Sequence, residues 1–158
     1  MHLWIRVVGT LLVSALLSYP VWAPQWGAGV LGEIYLVAFP GNLLIVVGFL
    51  ALVALYARTL QVTARRAGSG RSGWVWWMFA IPANFVEDFY IVHRIGTALT
   101  GRVHPRVCSW WLLLGHAWCA FQLVSLLPGA TGLVGGAVAV VAWLAHWAQT
   151  LAILRRLA

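Results

Sequence analysis

The stretch Ile34–Ala57 runs for 24 residues without one charged side chain. About 20 apolar residues in a helix suffice to cross a hydrocarbon core of ~30 Å. Three further stretches have similar length and character: Leu3–Trp22, Cys108–Leu127 and Leu133–Leu154. Composition agrees, because 63% of the 158 residues are hydrophobic and 8% are charged, where a soluble domain carries roughly 25% charged residues. Too few polar groups exist to cover a water-facing surface, so lipid must do the covering. The length suits one domain. The expected fold is all-α: one integral membrane domain over 1–158, with four transmembrane helices in two antiparallel hairpins.

Local signals refine the spans. Pro40-Gly41-Asn42 lies inside the second stretch and predicts a tilt or kink there. The third is bracketed by Pro105 and by Pro128-Gly129, and only five residues part it from the fourth, which forces an antiparallel pair. The first could be read as a secretory signal peptide, with Arg6 as its basic region and Val21-Trp22-Ala23 as a cleavage site. Bulky Trp22 and the following Pro24 suit cleavage poorly, and a retained helix is expected.

A fifth apolar stretch, Trp74–Val92, decides the topology. All ten basic side chains are Arg, and the net charge is +7. If Trp74–Val92 crossed the bilayer, Arg94, Arg102, Arg106, Arg155 and Arg156 would fall outside and the other five inside. If it stays on the cytoplasmic side, all ten fall inside, as the positive-inside rule favours. Glu87 and Asp88 agree, since an acid at the bilayer centre costs about 2.5–3.5 kcal/mol on insertion scales. An interfacial helix over about 74–99 along the inner face is therefore expected, with both termini cytoplasmic in a bacterial inner membrane. After Pro82, residues Phe85, Phe89, Val92, Gly96 and Leu99 recur every three or four positions as one apolar face. Glu87, Tyr90, Arg94 and Thr97 lie opposite. Asp88 projects toward the apolar side, where it either meets a loop arginine or reaches back to water. Trp74, Trp76 and Trp77 before this helix and Trp110-Trp111 after it read as an aromatic belt, with Trp22 and Trp26 on the other side.

Motifs for soluble chemistry are lacking. Gly68-Ser69-Gly70-Arg71-Ser72-Gly73 matches the dinucleotide fingerprint in letters, but no strand precedes it, and it reads as a flexible basic linker. No P-loop, zinc-protease, Cys-x-x-Cys or nucleophile-elbow motif occurs. Cys108 and Cys119 share one expected helix, about 16 Å apart at 1.5 Å per residue, and read as small core residues. The basic charge lies between apolar runs, so nucleic acid is not an expected partner.

Polar residues within the spans carry more weight, because the bilayer makes them costly. Gly135, Ala139, Ala142, His146 and Gln149 step along one face of the fourth span, and Gly115 and Cys119 offer the third a matching small surface. His116 and His146 each lie eight residues from an inner span end, about 12 Å deep. Asn42 and Gln122 lie about 21–22 Å deep on the same geometry. The expected intramembrane polar residues are therefore an inner His116/His146 layer and an outer one of Asn42 and Gln122, with Gln149 on the small-residue face. Interhelical hydrogen bonding is one use for them. Another is a b-type haem held axially by His116 and His146, and a third is a proton or ion relay. His93 and His104 read as solvated.

The order of parts resembles a family of bacterial, mainly actinobacterial, four-helix membrane proteins with no established activity. The matching pieces are the Arg58–Arg71 loop, the segment Trp74/Trp77/Phe79/Pro82/Asn84, Trp110-Trp111 opening a span, and Arg155-Arg156 closing the last. Asn84 follows Pro82 by two positions rather than three, and a second proline is missing. The resemblance implies four helices and no particular chemistry. The expected function is a non-enzymatic accessory or scaffold subunit of a membrane complex. Its expected partners are the bilayer, anionic headgroups at the cytoplasmic face, and a membrane protein or second copy; no cofactor is required. The alternatives are the haem-carrying electron-transfer subunit and an oligomeric channel or transporter. Asn84, Glu87 and Asp88, with Trp74, Trp77 and Pro82, are the candidate residues of the interfacial segment.

Overall fold

A computed structural model describes residues 3–157, the side chains of residues 30, 31 and 35 excepted. The regular elements are helices: α1 (Leu3–Leu17), α2 (Tyr19–Trp22), α3 (Gly29–Leu36), α4 (Gly41–Arg66), α5 (Asn84–Leu99), α6 (Pro105–Val124) and α7 (Gly129–Arg156). Single 3-10 segments cover Pro24–Trp26 and Gly73–Phe79, and no strand occurs among the described residues. Three helices, α4, α6 and α7, are long and apolar enough to cross a membrane, while α1 is apolar but shorter. The chain is thus an all-helical membrane protein.

Two expected spans are corrected at prolines. The first is continuous helix only to Leu17, and a separate turn, Tyr19–Trp22, follows. Pro20 has no N–H to give the ladder, and its ring crowds the carbonyl four residues back. The second begins at Gly41 and ends at Arg66, rather than covering 34–57. The predicted kink at Pro40 is a full break, because the residue before a proline is pushed out of the helical region. The stretch from 37 to 40 therefore separates α3 from α4. The arginines at 58, 65 and 66 extend α4 instead of forming a loop.

Contacts fix the directions. Tyr56 meets His146, Trp147 meets Thr59, and Arg66 meets Leu154, at sequence separations of 90, 88 and 88. The near-constant offset means that α4 and α7 run parallel. α6 is antiparallel to α7, from Gln149 on Val107 and Trp111 on Thr150 at one end to Gly135 beside Val124 at the other.

The α6–α7 hairpin turns tightly after Pro128, and Gly129 takes φ +68°, a conformation that L side chains rarely adopt. A Cβ on Gly132 would run into the Leu127 carbonyl oxygen, a backbone atom that cannot swing aside.

The segment expected to lie along the inner face stands differently. Cys108 Sγ donates to the Gly96 carbonyl, Val92 lies against Gly115, and Phe89 stacks on His116. α5 therefore runs lengthwise along α6, antiparallel to it. The reason is its apolar face: Ile91, Val92, Ile95, Gly96 and Leu99 are buried among helices, and Gly96 lets Leu112 approach where a Cβ would collide. α1 joins the outer side of α5, with Gly9 against Val86 and Arg6 paired to Glu87 at 3.1 Å.

Burial is uneven along the bundle. Tyr56, Ala57, Leu60 and Ala64 of α4 are fully buried, whereas every residue from 43 to 52 is exposed. The tight core lies where α4, α5, α6 and α7 all meet.

Gly132→Ala should lower stability by about 1–3 kcal/mol through overpacking, measured as thermal unfolding in detergent. Gly48→Ala, with open space around the new methyl group, should be neutral or stabilise by up to ~1 kcal/mol through helix propensity. Equal losses for both would mean that the α6–α7 turn is not packed as described.

Candidate functional site

Polar side chains gather in this core because lipid gives them no partners. Tyr56 on α4 and His146 on α7, both 0% exposed, share a hydrogen bond of 2.7 Å between the hydroxyl and Nδ1. The parallel register of the two helices makes this pairing possible. Thr150, one turn beyond His146, donates to the His146 carbonyl at 2.7 Å and accepts from Trp111 Nε1 at 2.9 Å. Trp111 also lies against the imidazole, ring centroids 4.4 Å apart. Around Tyr56 stand Trp118, Trp143, His146 and Trp147, all edge-on or tilted at 5.5–6.0 Å. Such edge-to-face geometry suits the ring quadrupoles.

The remaining ring nitrogen, His146 Nε2, is buried without a hydrogen-bond partner. It points at Gly115, where an added Cβ would lie 2.9 Å away. His116, the next residue, keeps other company: its ring stacks on Phe89 at 6.2 Å and lies 6.4 Å from His93. The two histidines expected as one layer thus sit at adjoining levels, with Gly115 against the His146 ring.

The expected outer layer is not assembled. Asn42 is in the first turn of α4, its side chain accepting from the Leu43 N–H at 2.7 Å. Following the helix offsets, Asn42 is level with about residue 131 of α7 and Gln122 with about residue 137, some 9 Å apart along the axis. The cause is the helix start at Gly41, which the hydropathy pattern does not reveal. Gln149 donates to the Val107 carbonyl at 3.1 Å and ties α7 to the start of α6.

On the α5 side, Trp74 lies beneath the Arg94 guanidinium, 4.5 Å from the ring centroid. Trp77 is exposed and Pro82 half-buried ahead of α5. Asn84 opens α5 and is buried, as is Asp88 one turn on, and Asn84 Oδ1 and Asp88 Oδ1 both lack a hydrogen-bond partner. The loop arginine expected for Asp88 is not there. The ion pair found among the described residues joins Arg6 to Glu87, and Arg6 also lies over the Tyr90 ring at 4.9 Å. The Asp88 carboxyl is enclosed by protein, with Glu87 beside it in the chain. Tyr56 and Cys119 lie within electrostatic reach of this group.

Tyr56, Thr150, Trp111 and Trp118 went unnoticed as site residues in the sequence. Thr150 follows His146 at helical spacing, which could have drawn attention to it. Tyr56 sits near the end of an apolar run and carries no such signal. Among the described residues, no group of three or more His, Cys, Asp and Glu side chains is placed to hold a metal ion. No protein-family model matches the chain, and comparison with curated proteins and with solved structures returns no match.

Tyr56→Phe should cost about 1–3 kcal/mol, since it leaves His146 Nδ1 buried without a partner. Trp110→Phe, at a ring 60% exposed, should stay within about 0.5 kcal/mol of the parent. Thermal unfolding of both variants in one detergent makes the comparison, and a neutral Tyr56→Phe would contradict the pairing.

Proposed function

We propose that this chain is a non-enzymatic, multi-pass protein of a bacterial cytoplasmic membrane, serving as an accessory or scaffold subunit with both termini in the cytoplasm. The observation that carries this reading is the grouping of arginines. Arg65 and Arg66 end α4, Arg155 and Arg156 end α7, and Arg106 opens α6, all at one end of the bundle. Arg66 donates to the Leu154 carbonyl at 3.1 Å, and the Arg102 guanidinium lies beside Gly68. A basic end of this kind supports a cytoplasmic placement. α1 with the α2 turn would then be the fourth helix in the bilayer, its Arg6 standing level with Glu87 and Tyr90 of α5. α5 would enter the bilayer from the cytoplasmic side, descending beside α6, with Arg102 just past its C-terminal end left at the surface.

Two surfaces suit such a subunit. A groove of about 300 Å³ runs along the first turns of α6, lined by Arg106 and Ser109 below and Trp110 and Leu113 above. Charge at the headgroup level and apolar rings beneath the acyl chains fit an anionic lipid. The other surface is the outer half of α4, where Leu43 to Leu52 are exposed on all sides of the helix. Lipid or a partner's helix would cover it.

The full chain in nanodiscs tests the reading. Thermal stability should be higher in phosphatidylglycerol than in phosphatidylcholine, and salt should narrow the gap. Arg106→Ala should weaken retention of phosphatidylglycerol by about 1 kcal/mol, roughly fivefold. Equal behaviour in both lipids would remove the electrostatic part, and a C-terminal reporter active on the periplasmic side would overturn the orientation.

A further inference from the structure

Asp88 is the one buried acid among the chain's three, Glu33 being exposed and Glu87 paired with Arg6. Its side chain is 2% exposed, and Oδ1 has no hydrogen-bond partner. On the same helix face one turn earlier, Asn84 Oδ1 is also buried and unpartnered. Across on α6, Gln122 Oε1 is a third such oxygen, and the antiparallel register brings it level with about residue 85 of α5. All three are acceptors, while each amide also carries an NH2 group and Trp118 Nε1, about level with Asp88 on α6, is a buried donor without a partner. A charged carboxylate here would face water-free surroundings with no cation, an arrangement costing several kcal/mol. The neutral acid supplies its own donor, and a proton is the one ligand that needs no cavity.

We infer that Asp88 is a reversible proton-binding site within the membrane, about 20 Å along α6 from Pro105, occupied when α5 is packed as seen here. Release breaks the carboxyl O–H bond, passes the proton to water admitted as α5 loosens, and leaves a bare carboxylate between α4, α5 and α6. That charge loosens α5, so the site couples proton occupancy to the docking of this helix. The titratable groups of other helices within electrostatic reach of it are Tyr56 from α4 and Cys119 from α6. On α5 itself are Glu87, neutralised by Arg6 of α1, and exposed His93. The inference rests on α6 lying in the bilayer and not on lipid preference, so it and the accessory-subunit reading can fail separately.

Infrared spectroscopy of the full chain in a detergent that carries no carbonyl group reads the site directly, because the chain has only three acidic side chains to compete. A protonated-carboxyl C=O stretch should be present at neutral pH, survive in the Glu33→Gln/Glu87→Gln double variant, and vanish in Asp88→Asn. Raising the pH should remove the band reversibly, with a midpoint above the ordinary carboxyl range. Since the folded group binds its proton more tightly than the unfolded one, stability should be full in acid and fall as pH rises through that midpoint. Asp88→Asn should flatten that dependence. Absence of the band at neutral pH in the double variant, which leaves Asp88 untouched, would overturn the proposal. A band that no pH removes from the folded protein would also overturn it, as would one abolished by sodium ions, which would make the ligand a metal cation.

Discussion

A buried polar atom in a lipid environment has only other protein groups to satisfy it, and the arrangement of this molecule follows from that constraint. Polar side chains of the four main helices are drawn to the level where all four can touch. Tyr56, His146, Thr150 and Trp111 link α4, α7 and α6 through successive hydrogen bonds. Farther out, where α4 has only apolar residues to offer, its surface from 43 to 52 stays open. The core is therefore polar, narrow and displaced toward the basic end, while the opposite end is held by the short α6–α7 turn.

α5 gives this core its unusual character. Its buried face carries Ile91, Val92, Ile95 and Leu99 toward the loop, but Asn84 and Asp88 at the deep end. The apolar part supplies the packing that holds the helix in place. The polar part is thereby taken to a depth where it has few partners, and the Arg6–Glu87 pair occupies the nearest cation. A small membrane protein that keeps an unpaired acid at such a position gives up stability there. The accessory-subunit proposal rests on the surface, and the proton-site proposal on this interior.

Much of this was legible in the amino-acid pattern. The long uncharged runs marked α4, α6 and α7, and the arginine distribution marked one end as basic. The positioning of Asp88 on the apolar side of its helix also followed from helical spacing. What the pattern concealed was register and environment. Pro40-Gly41 reads equally as a kink within a helix or as the start of one, and the second choice moves Asn42 out to the helix start. Period 3.6 separates the faces of α5 but does not distinguish lipid from neighbouring helices as the cover for the apolar one. Gly96 and Gly115, which admit Leu112 and the His146 ring, become informative only once the helices are side by side. Tyr56 was invisible because its partner is 90 residues away.

The central claim is that α5 stands inside the bundle beside α6 instead of lying on the membrane surface. Hydrogen–deuterium exchange of the unmodified chain in nanodiscs tests it without any substitution. Amides from 88 to 99 should exchange as slowly as those from 108 to 119 in α6. Exchange over 88–99 as fast as in the 101–104 loop would contradict the account and return this helix to the interface.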